Sequence, residues 1–339
     1  MSSYVTIMDI AKELGVSHST VSRALRDHPR ISKKTIAKVK KLADERGYWS
    51  NDAVRNITQG HSGIIGIIVP DLSIPFFSRV LLNIQSELFK QNYSALVFNS
   101  AESAEAEKVS IEKCLMHRVD GIIAAITIET KDFSTYEKVL KQGVPIVFYD
   151  RVSNFLNVPK VVADDYVGSY NANKYLIEQG CKIIAHITGT INLNNSNNRL
   201  YGYLDALSEN GLKANESLIH YYEFEPSSID DFLKKVLAKY GHIDAISTFN
   251  DYTAYYAVQS LIRLGLKVPD NVFVIGFSNE PIATYMRPSL STVEEVAPKM
   301  GTIAAQKMVS ILNGSESLTS QKISILPGLI LRETTKKRD

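Results

Sequence analysis

Apolar residues near the start of the chain recur at helical spacing: Ile7, Ile10, Ala11 and Leu14, then Val21, Ala24 and Leu25, then Ile36, Val39, Leu42 and Ala43. Stripes repeating every three or four residues mark helices with one buried face, so three short helices are predicted, enough to close a small core. Thr6 with Asp9 three residues on has the spacing of a capping box. Gly15 sits where a helix end wants left-handed backbone, Ser17 and Ser32 stand at N-cap positions, and Gly47 ends the third helix. The second helix turns His18, Ser19, Ser22 and Arg23 away from its apolar side. Two helices joined by a tight turn at Gly15-Val16, the second with a short, polar and basic outer face, form a helix-turn-helix suited to reaching base edges and phosphates.

Further along, the apolar pattern shortens into bursts: IIGIIV at 64–69, SALVF at 94–98, GIIAAI at 121–126 and PIVFY at 145–149, then IIAHI at 183–187, IDAIST at 243–248 and VFVIGF at 272–277. Helical stretches at 79–90, 105–117, 166–179 and 252–264 alternate with them. Short continuous apolar strands between helices imply parallel sheets covered on both faces, and two sets imply two lobes. About 280 residues follow the head, a length that suits one or two α/β domains.

Charge separates head from body. Residues 1–60 hold 11 Lys plus Arg against 6 Asp plus Glu, whereas the remainder holds 27 against 30. A basic head on a slightly acidic body favours a nucleic-acid module over an ordinary amphipathic helical hairpin, because neutralising phosphates is the sequence-independent part of DNA affinity.

The stretch from Thr6 to Arg26, continued by HPRISKKTIAKVKKLADERGYWSN, resembles the head of the lactose, galactose and purine repressor family, and the likeness runs down the whole chain. The resemblance implies that His18, Ser19 and Arg23 lie at base-reading positions of a recognition helix in the major groove. Arginine there suits paired bonds to guanine. Thr6, Ser17, Ser22, Arg30 and Thr35 match positions that touch or flank phosphates, which set register rather than sequence. Asn51-Asp52-Ala53-Val54-Arg55-Asn56-Ile57 is similar to the family's hinge helix, which folds when a dimer meets its operator and wedges an apolar side chain into the minor groove. Asn51 and Arg55 then join the DNA contacts, and Ile57 occupies the wedge position. Ser50 and Val54 depart from the usual proline and alanine, and Ile57 from the usual leucine.

By the same resemblance the fold class is an N-terminal three-helix DNA-binding head (1–50) with a helix-turn-helix, a hinge helix and linker (51–62), and an α/β two-lobed body (63–339) like the periplasmic binding proteins. The body carries doubly wound parallel sheets, an effector cleft between lobes and the dimerisation surface. Lobe one is expected at about 63–162 and 291–325, lobe two at about 163–290 and 326–339. Asp71, Ser73 and Phe76 in PDLSIPFF, Asp150 ending VFYDR, Arg199 in NNRLYGYLDAL, Phe224 in EFEP, and Asn250-Asp251 match cleft positions that bind effector. Ser278 and Asn279 in GFSNEP stand where acids commonly bind sugar hydroxyls. That exchange, with Arg199 kept, leaves an anionic sugar open as effector beside the neutral sugar usual in the family.

No Walker loop, G-x-G-x-x-G, H-E-x-x-H or G-x-S-x-G pattern occurs, so neither catalytic residues nor a cofactor are expected. His186 reads as a strand histidine. Cys114 and Cys181 stand apart, which suggests neither a disulfide framework nor a metal site and fits a reducing cytoplasm. The chain opens on a functional helix rather than a leader and has no apolar run of membrane length. These features weigh against an exported sugar-binding protein, and a sugar-modifying enzyme lacks its motif. The expectation is a homodimeric transcriptional regulator, a repressor, bound to a pseudo-palindromic double-stranded DNA operator and answering to a small carbohydrate effector. The ending ILRETTKKRD carries no leucine heptad of the kind that builds the lactose repressor tetramer, hence a dimer.

Overall fold

The computed structural model describes residues 5–48, 61–191, 193–222, 225–294 and 296–336. The chain divides into two compact units, Met1–Ser62 and Gly63–Asp339.

The first unit holds α1 (Ile7–Leu14), α2 (His18–Leu25) and α3 (Lys33–Glu45). Thr6 and Asp9 form the reciprocal capping box at α1, Gly15 ends it at φ 66°, and Ser17 and Ser32 cap α2 and α3 by accepting the Thr20 and Thr35 amides. The apolar stripes meet in one core of Ile10, Ala11, Val21, Ala24, Val39 and Ala43, with Leu14, Leu25, Ile36 and Leu42 packed at its edge.

In the second unit two sheets form. The first has the order β11-β5-β4-β3-β1-β2, with β1 (Ile64–Val69), β2 (Ser94–Asn99), β3 (Gly121–Ala124), β4 (Ile146–Tyr149), β5 (Lys160–Ala163) and β11 (Lys322–Ile325), all parallel. The second has the order β12-β10-β9-β8-β6-β7, with β6 (Ile184–Thr188), β7 (Ile219–Tyr221), β8 (Ala245–Thr248), β9 (Phe273–Phe277), β10 (Ser291–Val293) and β12 (Leu329–Ile330). Only the β10–β12 pair is antiparallel.

Both faces of each sheet are covered, which is why the central strands are apolar throughout. In lobe one, α4 (Pro75–Lys90) and α12 (Ala297–Leu312) bury Val80, Ile84, Met300 and Met308 on one face, and α5 (Ala104–Met116) and α6 (Ser134–Lys141) bury Ile111 and Tyr136 on the other. In lobe two, α9 (Pro226–Tyr240) and α10 (Asp251–Arg263) cover one face through Leu233 and Val258. The helices α7 (Asp165–Glu178) and α8 (Asn194–Glu209) cover the other through Leu176 and Tyr203. The short α11 (Pro281–Tyr285) follows β9.

The chain passes from lobe one to lobe two after β5 and returns to it through α12. The expected crossing at 291 falls later, because Ser291, Thr292 and Val293 pair in register with Ile275, Gly276 and Phe277 of β9 and so belong to lobe two. The last crossing lies between β11 and β12, at the expected place near 326. No described helix is long and apolar enough to cross a membrane.

Candidate functional site

Two surfaces carry the polar groups singled out by the sequence. On the head, capping by Ser17 starts α2, and burial of Val21 and Ala24 then fixes its rotation, leaving His18, Ser19 and Arg23 exposed. Arg23 makes no ion pair or side-chain hydrogen bond among the described residues. Its neighbours are more committed. Arg26 reaches back to Ser22, bonding the hydroxyl through Nη2 and the carbonyl through Nε at 3.0 Å. The Thr6 hydroxyl donates to Asp9 at 2.6 Å, and those of Ser17 and Thr35 lie within the caps of α2 and α3. Arg30 is exposed and donates its amide to His28 Nδ1 at 3.2 Å. Lys40 and Arg46 are tied to Asp27 and Glu13, at 2.7 and 2.8 Å. Arg23 is therefore the basic group on α2 with an uncommitted guanidinium. Asn51, Arg55 and Ile57, with Ser50 and Val54, lie outside the described residues.

The second surface is a cavity of about 810 Å³ between the lobes, at the carboxyl ends of the parallel strands. Loops leaving β1, β4, β8 and β9 supply its walls, because a parallel strand ends there while its helix starts back along the sheet. Asp71, Ser73, Phe76, Asp150, Arg199, Asn250 and Ser278 all line it. Asp71 accepts the Ser73 amide at 2.8 Å, which shapes the turn into α4. Asn250 uses its carbonyl oxygen to cap α10, accepting from the amide and hydroxyl of Thr253 at 2.8 and 2.9 Å, which leaves its amide nitrogen for a ligand. Asp150 is half-buried in left-handed backbone at φ 54°, a conformation that costs energy for a non-glycine residue. Its carboxylate makes no hydrogen bond among the described residues, and enclosure by the protein pushes its pKa up to about 6.

Arg199 is 6% exposed. It bonds Asp165 through Nε at 2.8 Å and Nη2 at 2.7 Å, and donates Nη1 to the Phe249 carbonyl at 2.5 Å. Its guanidinium carbon lies 3.7 Å from the Phe277 ring centroid and 4.8 Å from that of Phe249. With three of its five N–H groups engaged, two are left for the cavity.

Two expected cleft residues are not found there. Asp251 is fully buried beneath the cavity wall, where it accepts the Glu280 amide and the Thr292 hydroxyl, each at 2.6 Å. As first residue of α10 it turns into the protein, and burial pushes its pKa up to about 7. Asn279 follows a left-handed Ser278 and turns aside to accept from Arg332 at 2.7 Å. Phe224 lies outside the described residues.

Other cavity residues were not singled out as effector contacts. Arg151 lines the wall, its Nη1 on Glu102 at 2.6 Å and its guanidinium 5.1 Å from the Phe77 centroid, while its buried Nε has no partner among the described residues. VFYDR gave the signal for it. Glu280 brings a carboxylate to the wall two positions beyond Ser278. The acids are thus not lost: Asp71, Glu102, Glu129, Asp150 and Glu280 line the cavity against Arg151 and Arg199. Glu102 and Asp165 pair with those two arginines, so acidic groups outnumber basic ones along this wall.

A three-helix head with a helix-turn-helix and a two-lobed body with a polar cleft between the lobes point to a class, the ligand-responsive transcriptional regulators. Residues 6–51 match the family described as bacterial regulatory proteins, lacI family, and residues 62–329 match the periplasmic binding proteins and sugar binding domain of the LacI family. The chain belongs to the LacI family. It is 32% identical to the HTH-type transcriptional regulator DegA of Bacillus subtilis, over 97% of this chain and 98% of that protein. It is 28% identical to the ribose operon repressor of Halalkalibacterium halodurans, over 98% and 97% of the two chains. In fold it resembles the lac repressor dimer bound to operator and the anti-inducer ONPF, with a TM-score of 0.86 and 23% identity over 98% and 99% of the chains.

Proposed function

We propose that this LacI-family regulator is a homodimeric repressor that binds a pseudo-palindromic operator and alters its grip when a neutral sugar or sugar derivative occupies the cleft. The observation that carries this reading is the unpartnered Asp150 carboxylate in the wall of a cleft between lobes, on a chain whose head exposes an uncommitted Arg23. His18, Ser19 and Arg23 would meet base edges, and Thr6, Ser17, Ser22, Arg30 and Thr35 the backbone, with Asn51, Arg55 and Ile57 of the linker adding contacts at the centre. In the cleft, Asp150 would accept from sugar hydroxyls. Asn250, Ser278 and the remaining N–H groups of Arg199 would bond other polar edges, and Phe76 would cover an apolar face.

A second copy fits the surface: Leu82 and Phe89 on α4 and Tyr285 on α11 are large apolar side chains left 64%, 82% and 77% exposed. Two-fold symmetry of the protein then predicts two-fold symmetry of the operator. Solved relatives include a CelR–cellobiose complex and a regulator bound to D-xylulofuranose, which supports a carbohydrate in the cleft. We read the cleft as a binding rather than a catalytic site, and the cytoplasm as the place of action.

The test is a titration of the full-length protein with a panel of neutral sugars, followed by DNA affinity with and without each sugar that binds. A coupling free energy of about 1–3 kcal/mol, equal when measured from either ligand, is expected. Sugars that bind without changing DNA affinity would remove the effector role.

A further inference from the structure

We propose that Arg79 is a positioning residue that ties the lobes together across the cleft, holding it closed through Glu280 before any effector arrives. The consequence for effector rests on the reading of the cleft given above; the tie itself does not.

Glu280 belongs to lobe two, between β9 and α11, and is 3% exposed. Its place is fixed from behind. The Glu280 amide donates to Asp251, which also accepts from the Thr292 hydroxyl, so the loop is pinned to α10 and β10 together. From lobe one, Arg79 on α4 extends Nη2 to Glu280 Oε2 at 3.0 Å. Arg79 does not line the cavity, whereas Glu280 does, so the pair spans the boundary between lobes with its acidic end in the wall.

The energetics are asymmetric. Separating the lobes breaks this contact, so the pair can form and break with the cleft. Removing the Arg79 charge takes this counter-charge from Glu280 in the closed form only, which weakens closing by whatever the pair contributes to it. Arg79 thereby biases an equilibrium that effector also biases, and an effector meeting a closed cleft gives up less of its affinity to closing it.

The experiment measures the distance between spin labels at Lys131→Cys in lobe one and Ser227→Cys in lobe two, both exposed positions, in the full-length protein without ligand or DNA. Cys114 and Cys181 are buried and leave the introduced thiols as labelling sites. The unsubstituted Arg79 protein is expected to show one short distance. Arg79→Met should add a distinct longer-distance population, and Arg79→Lys, which keeps the charge, should restore the short one. Arg79→Gln removes only the charge and carries the same test if the methionine variant fails to fold. Folded Met or Gln variants with the parent distribution would overturn the tie while leaving the effector reading intact. Failure of every sugar to alter DNA affinity would do the reverse.

Discussion

Arg199 and Asp165 are locked together inside lobe two, with Nε and Nη2 of the arginine on one carboxylate oxygen at 2.8 and 2.7 Å and both side chains at least nine-tenths buried. Burial raises the Asp165 pKa, and the neighbouring guanidinium opposes that rise. Arg199 thus holds the framework together as well as facing the cavity. Deleting one partner of a buried pair strands the other, at about 3–5 kcal/mol. Arg199→Ala is therefore expected to lower the unfolding free energy by that order, seen as a lower denaturant midpoint, while also abolishing the effector response. An unchanged midpoint would mean the pair adds nothing to the fold.

Asp150 is expected to set the pH dependence of effector binding. Its pKa of about 6 in the free protein lies above the ordinary carboxylate range, so it takes up a proton as the pH falls through 6. A protonated carboxyl loses acceptor capacity and charge. Effector affinity should be level above about pH 7 and fall below 6, and Asp150→Asn should cost about 1.5–3 kcal/mol of binding and flatten the profile. Calorimetry across pH 5–8 checks this. A profile unchanged in the variant would place the titrating group elsewhere.

Close approach of α7 and α8 depends on Gly202. A Cβ there would lie 2.4 Å from the Tyr166 carbonyl oxygen and 2.8 Å from the Tyr170 amide nitrogen, both backbone atoms. Gly202→Ala must push the helices apart, at about 1–3 kcal/mol. Since α8 carries Arg199, thermal unfolding and effector affinity should weaken together. A variant as stable as the parent would show that the helices have room to shift.

The legible parts of this chain were those whose neighbours in sequence decide their structure. The caps at Thr6, Ser17 and Ser32 are local, and the bursts that became β1, β3, β4, β6, β8 and β9 are buried along most or all of their length, while the one that became the edge strand β2 is half-buried. The strands β11 and β12 gave no such signal: β11, with Lys322 and Ser324 exposed, and the two-residue β12 depend on tertiary pairing. The buried stripe of α12, Ala297, Met300, Gly301, Ala304, Ala305 and Met308, is built largely from small residues and so stands out weakly in the sequence. In the cleft, motif position found Asp150 and Arg199, but no local rule says which way Asp251 turns, or that Asp165 would meet an arginine 34 residues away. Carboxylates moved within a loop, as at Glu280, become visible only when the strands bring the loops together.

On the head, Arg23→Ala should cost about 1–3 kcal/mol on the preferred duplex and relax the preference at one base pair of each half-site. Equilibrium binding to single-base variants of the site measures it. Equal loss on every sequence would make Arg23 a phosphate contact instead, with a shallower salt dependence.

Selection of bound duplexes from a random DNA library with the full-length protein tests the central claim most directly, because it reads head, linker and dimer symmetry together. The account predicts enrichment of a two-fold symmetric site with an easily kinked central step, and its loss with Arg23→Ala. Enrichment of no sequence, with and without the sugars that bind the cleft, would contradict it.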